Sequence, residues 1–164
     1  MRKITFKELD IKSFMSLGSY VNMLDPDSEK FDIGPIEFFR DMVSVDLAEK
    51  HHASISMVRV QQRPLVIDVM EFHNCGEGFM PMDADMLIPL AAATLEKRII
   101  PEKIELYRVP KGTFVSLRPG VWHNAPFPYQ SKSVRFLVVL PERTYATDDY
   151  CDLIPAEEQI QVQI

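Results

Sequence analysis

The stretch RPGVWHNAPF, residues 118–127, decides the fold prediction, because it places a chain reversal, a large apolar ring and an imidazole side by side. Pro119 and Gly120 predict a tight turn, since proline fixes φ and glycine accepts conformations that other residues avoid. Trp122 is too apolar to stay in water, so it should enter a core or line a pocket. His123 should therefore lie at the start of a short strand, either as a functional group or as a locally hydrogen-bonded histidine.

A second polar stretch, LVIDVMEFHNCGEGFMPM, occupies residues 65–82. Successive side chains along a strand alternate between its two faces. An uninterrupted strand would direct five alternate residues to one face: Leu65, Ile67, Val69, Glu71 and His73. Three apolar residues followed by a carboxylate and an imidazole are typical of a barrel strand that runs from a packed interior to a polar mouth.

Glu77 follows His73 after a glycine-containing bend, and His123 lies in the first stretch, residues 118–127. These residues predict a mixed nitrogen and oxygen ligand set, made of Glu71, His73, Glu77 and His123. Imidazole and carboxylate ligands suit Mn, Fe, Ni or Zn. The sequence therefore predicts a site for a divalent transition metal.

The composition indicates one soluble globular domain spanning residues 1–164, with 46% hydrophobic and 26% charged residues. A net charge of −6 without a basic block argues against nucleic acid or an anionic membrane as a partner. No transmembrane run or signal peptide is evident, and Cys75 and Cys151 form no paired pattern. We therefore expect a cytoplasmic protein with reduced thiols.

Many short strands at a spacing of roughly ten residues predict a β-sandwich or barrel. Residues 10–17 should form a short helix capped by Asp10, and residues 31–47 fit a strand slightly better than a helix. Pro89 should restrict its strand to an edge or a bulge. The last residues, 160–164, should add a strand to the sheet or to a neighbouring subunit. The clearest other strands are residues 54–60, 65–73, 104–109, 113–117 and 134–140.

The motifs resemble the ureidoglycolate lyase family of the cupin superfamily. The resemblance rests on the order Glu71-x-His73, Gly76, FMPM at residues 79–82 and GVWHNAPF at residues 120–127. It continues upstream in ISMVR and FMSLGSYV and covers most of the chain from about residue 10 to 155. It implies an all-β, cupin-type double-stranded β-helix (a jelly-roll barrel) with a short N-terminal helix. It also implies a homodimer and a small-molecule pocket. Members of the family split ureidoglycolate into glyoxylate and urea in allantoin and purine breakdown.

Two positions depart from the family pattern. The family typically has His-His-Pro after the tryptophan, whereas this chain has His123-Asn124-Ala125-Pro126. It also tends to have a glutamine near the position of Glu77. Because both departures lie near the expected pocket, the fold transfers more directly than the substrate.

Cleavage of ureidoglycolate requires removal of a hydroxyl proton and delivery of a proton to the leaving nitrogen. We expect His73, His123 and Glu77 to be catalytic, with the metal polarising the hydroxyl oxygen while a remaining carboxylate or imidazole moves the proton. The predicted substrate-binding residues are Arg59, Trp122 and Tyr129. Arg59 would bind the substrate carboxylate with two parallel hydrogen bonds.

Each of these assignments has a structural alternative. Arg59 could be a surface residue, and Glu71 could form a structural ion pair with Arg118 or Arg135. Asp148 and Asp149 are most simply read as a solvated turn. Two other functions also fit the sequence: a cupin isomerase or epimerase that acts on a sugar or keto acid, and a ligand-binding cupin without catalysis.

Overall fold

The computed structural model describes residues 1–164, and strands hold 47% of the chain against 7% in helices. The all-β prediction is confirmed. The strands are β1 Arg2–Glu8, β2 Gly18–Asn22, β3 Lys30–Ile33, β4 Ile36–Phe39, β5 Ala53–Gln61, β6 Val66–Ile67, β7 Val69–Phe72, β8 Glu77–Pro81, β9 Met86–Ala91, β10 Glu105–Val109, β11 Thr113–Leu117, β12 Trp122–His123, β13 Phe127–Pro128, β14 Ser133–Pro141, β15 Tyr150–Leu153 and β16 Ile160–Gln163. The helices are α1 Ile11–Phe14 and α2 Thr144–Thr147, with a 3₁₀ turn at Pro101–Lys103.

Two curled sheets enclose the interior. One sheet has the strand order β15-β7-β12-β9-β10-β1-β16-β6, with β13 also paired to β9. The other has the order β2-β11-β8-β14-β5. All pairings are antiparallel except those of β1, which runs parallel to β10 and to β16. This is the cupin-type double-stranded β-helix with its short N-terminal helix.

The larger sheet packs apolar side chains on both faces. Its inner face meets the smaller sheet in a core that includes Phe79, Leu90 and Phe136. Its other face carries a second core, the outer core, that includes Trp122, Phe72 and Met70. Because consecutive residues of a strand face opposite sides, one strand can contribute to both cores.

The predicted single strand through residues 65–73 is broken at Asp68, between β6 and β7. The break changes the phase of the alternation. Ile67 therefore lies in the same outer core as Met70 and Phe72, and not on the face of Glu71. The prediction of five residues on one face was wrong for its first half, because alternation holds only while the strand is continuous.

The N-terminal helix is confirmed in type and is shorter than predicted. The side chain of Asp10 accepts a hydrogen bond from the backbone N–H of Ser13 at 3.0 Å, which satisfies a free donor of the first turn. Phe14 is buried beneath the helix, whereas Ile11 is exposed.

The chain between β2 and β5 differs from the predicted strand. Strands β3 and β4 form a separate two-stranded hairpin, and residues 40–52 are irregular. One face of the hairpin exposes four large apolar side chains, which are cross-strand neighbours: Phe31, Ile33, Ile36 and Phe38.

Pro89 lies in a central strand, contrary to the expected edge or bulge. On one side β9 pairs with β10 along its length. On the other side β12 pairs only with Leu90 and Ala91, and β13 only with Met86 and Leu87. Pro89 lies opposite the gap between these two short strands, where no partner requires its missing N–H.

The C-terminal strand belongs to the sheet of its own chain, because β16 pairs with β1 and β6. Of the two expected locations, the sheet is therefore the one observed. Neither short helix has the length and apolar character needed to span a bilayer.

Candidate functional site

A cavity of about 210 Å³ opens at one end of the interior. One wall is apolar, and the other carries the polar groups of the site. The apolar wall is formed by Val58, Phe79, Ile88, Phe136, Val138 and Leu140. The polar wall is formed by Glu71, His73, Glu77, His123, Asn124 and Asp149.

Strand pairing brings the two predicted polar stretches together. His123 in β12 lies directly opposite Glu71 in β7, so both side chains face the cavity. His73 follows Glu71 by two residues and keeps the same phase. Glu77 begins β8 and shares its inward face with Phe79.

Two glycines allow the turns that shape this wall. Gly120 has φ of 80° and donates its backbone N–H to the carbonyl oxygen of His73 at 2.7 Å. A Cβ on Gly76 would lie 2.9 Å from the carbonyl oxygen of Leu117 and 3.0 Å from the backbone nitrogen of Asp46. Only glycine fits without a backbone shift at Gly76, which lies in the bend between His73 and Glu77.

A compact buried cluster, called the inner cluster, is formed by His73, Glu77 and His123. Glu77 Oε2 lies 2.9 Å from His123 Nε2 and 3.4 Å from His73 Nε2. The two imidazole centroids are 5.1 Å apart. All three residues are at least nine-tenths buried. His123 Nε2 nevertheless has no hydrogen-bond partner, although it lies close to Glu77 Oε2.

Backbone carbonyls fix the orientation of both imidazoles. His73 Nδ1 donates to the carbonyl oxygen of Asp148 at 2.7 Å, and His123 Nδ1 donates to that of Val121 at 2.9 Å. A carbonyl oxygen can only accept, so the hydrogen of each neutral ring must be on Nδ1. In this neutral form each Nε2 presents its lone pair to the cluster, which is the arrangement of metal-binding histidines, whereas in the charged form it carries a hydrogen.

The cluster is strongly coupled electrostatically. Burial opposes the charge on Glu77, but the positive charge of His123 outweighs burial and lowers the pKa of Glu77 to about 2. Burial likewise disfavours the charged form of His123, but the negative charge of Glu77 outweighs burial and raises the pKa of His123 to about 9. The pKa of His73 is also raised, because contact with Glu77 outweighs its burial.

The donor atoms of His73, Glu77 and His123 lie within 4.8 Å of one another. Two imidazoles and one carboxylate form a ligand set that is compatible with a divalent metal and leaves positions for other ligands. The unpartnered Nε2 of His123 fits this use. Glu71, the fourth residue of the predicted set, lies farther out: its Oε1 is 4.0 Å from His123 Nε2.

Glu71 belongs to a second group of side chains at the cavity mouth, together with Asp149 and Cys151. It pairs with neither Arg118 nor Arg135, and Arg135 instead binds Asp83 at 2.8 Å. Burial raises the pKa of Glu71, an effect that the positive charge of His123 partly offsets.

The three predicted substrate-binding residues all lie outside the cavity of this chain. Arg59 is exposed on β5 and points away from the interior, because its neighbour Val58 lines the cavity. Trp122 packs on Phe72 in the outer core, with centroids 4.6 Å apart, and donates to Thr94 Oγ1. Tyr129 packs edge-on against Phe6 on the same side.

The sequence did not predict that Asp148 and Asp149 would lie beside His73 and the cavity. Besides its carbonyl bond to His73, Asp148 accepts hydrogen bonds through its side chain from the backbone and the amide of Asn74, at 3.0 and 2.6 Å. Asp149 lines the cavity. The adjacent acidic pair was the only local signal, and such pairs are common in solvated turns.

The cavity lies at the end of a two-sheet β interior and contains a buried histidine–glutamate–histidine cluster. The sequence model of the family described as ureidoglycolate lyase matches residues 1–163. The chain belongs to the ureidoglycolate lyase family, and this membership indicates a lyase. No curated protein matches the chain.

Several solved structures are similar to this chain at low sequence identity. A 3,4-ketoisomerase from Thermoanaerobacterium thermosaccharolyticum is 9% identical, with 80% of this chain and 85% of that chain covered and a TM-score of 0.49. A dTDP sugar isomerase from Desulfovibrio desulfuricans is 11% identical, with coverages of 87% and 89% and a TM-score of 0.48. Oxalate decarboxylase from Bacillus subtilis is 14% identical, with 60% of this chain covered and a TM-score of 0.44. The match spans only 23% of the decarboxylase chain.

Proposed function

We propose that this protein cleaves the C–N bond of ureidoglycolate to give glyoxylate and urea. The observation that carries the proposal is the buried cluster of His73, Glu77 and His123 at the polar end of the cavity, in a chain of the ureidoglycolate lyase family. Ureidoglycolate is a small acid, and its reacting hydroxyl and C–N bond need both a polarising centre and a proton carrier.

His73, Glu77 and His123 would hold a divalent metal through Nε2, Oε2 and Nε2. When bound, the metal supplies Lewis acidity that makes the substrate hydroxyl easier to deprotonate. The backbone bonds of Asp148 and Val121 to the two imidazoles keep these nitrogens aimed at the cluster.

Glu71 is the proton carrier in this proposal. Its Oε1 lies 4.0 Å from His123 Nε2, so it adjoins the cluster without belonging to it. Its carboxylate takes the hydroxyl proton, and the carbon–oxygen double bond forms as the C–N bond breaks with its electron pair on nitrogen. Glu71 then returns the proton to that nitrogen. General acid–base help of this kind typically contributes about 10²–10⁴-fold.

The first test is metal content by elemental analysis, measured for the wild type and for His73→Ala. We expect near-stoichiometric metal in the wild type and its loss in the variant. The loaded wild type should then release glyoxylate and urea in equal amounts from ureidoglycolate, above an enzyme-free control. Loaded, folded protein without such turnover would contradict the lyase proposal and favour a binding role.

A screen of sugar and keto-acid substrates tests the isomerase or epimerase alternative. The observation in its favour is that a carboxylate and an imidazole, Glu71 and His73, both reach one cavity. Isomerised product without glyoxylate release would favour that alternative.

A further inference from the structure

Glu71 and Asp149 bring two carboxylates to the cavity mouth. Their ligand atoms and Cys151 Sγ all lie within 4.8 Å of one another, and each carboxylate side chain is one-third exposed. The two oxygens of Glu71 point in different directions. Oε1 faces His123, whereas Oε2 faces Cys151 at 4.0 Å on the side of Asp149.

The pair has unused acceptor capacity. Cys151 Sγ is the only side chain that hydrogen-bonds these carboxylates, at 3.8 to 4.0 Å, and a thiol is a weak donor. One imidazole nitrogen lies 4.0 Å from each carboxylate. No lysine or arginine lines the cavity, and the two imidazoles are the only positive groups near the pair. Like charges held this close favour a ligand that brings N–H donors between them.

The same cavity contains an independent sign of a ligand. His123 lines the cavity and is only 5% exposed, and its Nε2 has no hydrogen-bond partner. A ligand that satisfies the inner cluster with its oxygens would extend toward the mouth, because the opposite wall is apolar. The groups that it meets there are the carboxylates of Glu71 and Asp149.

We infer that Glu71 Oε2 and Asp149 form an acceptor pair for the N–H groups of a ureido ligand, with Asp149 as the residue that determines specificity. This inference rests on the proposed function, because it assigns binding residues to the other end of the same substrate. The hydroxyl and carboxylate would face the inner cluster, and the ureido group would face the mouth. The site would therefore select ureido acids over simple hydroxy acids of similar size.

The test compares two non-cleavable ligands by calorimetry on metal-loaded protein. Ureidoacetate carries the carboxylate and the ureido group, whereas glycolate lacks the ureido group. We expect the wild type to bind ureidoacetate at least tenfold more tightly. Asp149→Asn should reduce that preference about tenfold, because an amide replaces one acceptor oxygen with a donor, and hydrogen bonds to charged groups are the stronger kind. Glycolate affinity and metal content should not change.

Glu142→Gln is the matched control, since it removes one exposed carboxylate outside the cavity and should leave the preference intact. An unchanged preference in Asp149→Asn would overturn the inference even if the wild type cleaves ureidoglycolate. Loss of a second equivalent of metal in Asp149→Asn would also overturn it, because the mouth would then be a cation site. A wild type that does not cleave ureidoglycolate, but prefers ureidoacetate through Asp149, would uphold the inference and refute the lyase proposal.

Discussion

The two faces of the larger sheet carry different residues at adjacent positions of the same strands. On the outer face, Trp122 and Phe72 pack edge to face in an apolar core. On the inner face, their sequence neighbours His123, Glu71 and His73 line the polar cavity. On β7 and β12, one face therefore packs in an apolar core, and the other lines the cavity of the proposed site.

The largest effect should come from the inner face. His123→Gln keeps a donor beside Glu77, which avoids leaving a buried carboxylate without a partner, but removes the imidazole ligand. We expect loss of bound metal and a fall in turnover of about 10²–10⁴-fold, with a near-normal unfolding transition. Elemental analysis, kinetics and urea unfolding on one preparation would check this. Full metal content in the folded variant would show that His123 is not a ligand.

The outer face should show the opposite behaviour. Trp122→Ala removes a fully buried side chain and its bond to Thr94, and should lower the free energy of unfolding by about 3–5 kcal/mol. Metal content per folded molecule should be unchanged. Denaturant unfolding and elemental analysis measure the two quantities separately. Normal stability with impaired ligand binding would place Trp122 at the pocket, as the sequence suggested.

A smaller effect should come from the segment that holds His73. Asp148→Ala removes both side-chain bonds to Asn74 and frees the carbonyl that orients His73, so metal affinity should fall about 10–100-fold. Asn74→Ala, which leaves the bond to the backbone of residue 74, should have less effect. Competition with a chelator measures the metal affinity of both variants. Equal affinity of Asp148→Ala and the wild type would show that the carbonyl is held by other contacts.

The smallest effect should come from Arg59, which points away from the cavity. Arg59→Ala should change KM for ureidoglycolate less than about twofold, since removal of an exposed side chain away from the site is usually near neutral. Steady-state kinetics measures this change. A large rise in KM would contradict the single-chain view and place Arg59 at the cavity of a second copy in the predicted homodimer.

The sequence predicted a ligand set of four residues, and the structure brings three of them together without Glu71: His73, Glu77 and His123. Their prediction was possible because each stands beside a strand signal, and strand alternation gives a side chain its face. Arg59 and Trp122 were predicted from their chemical type alone. Their positions in the alternation, next to Val58 and His123, turn both away from the cavity.

The sequence by itself determined the all-β class, the turn at Pro119 and Gly120, and the imidazole and carboxylate groups of the cluster. Those features depend on local periodicity and on residue type. Only the tertiary structure decided three other features. These are the break at Asp68, the position of Pro89 opposite a gap between two short strands, and the positions of Asp148 and Asp149 beside His73 and the cavity. The reason is physical: Asp148 acts on His73, a residue 75 positions away, and such a contact exists only after the sheets have closed.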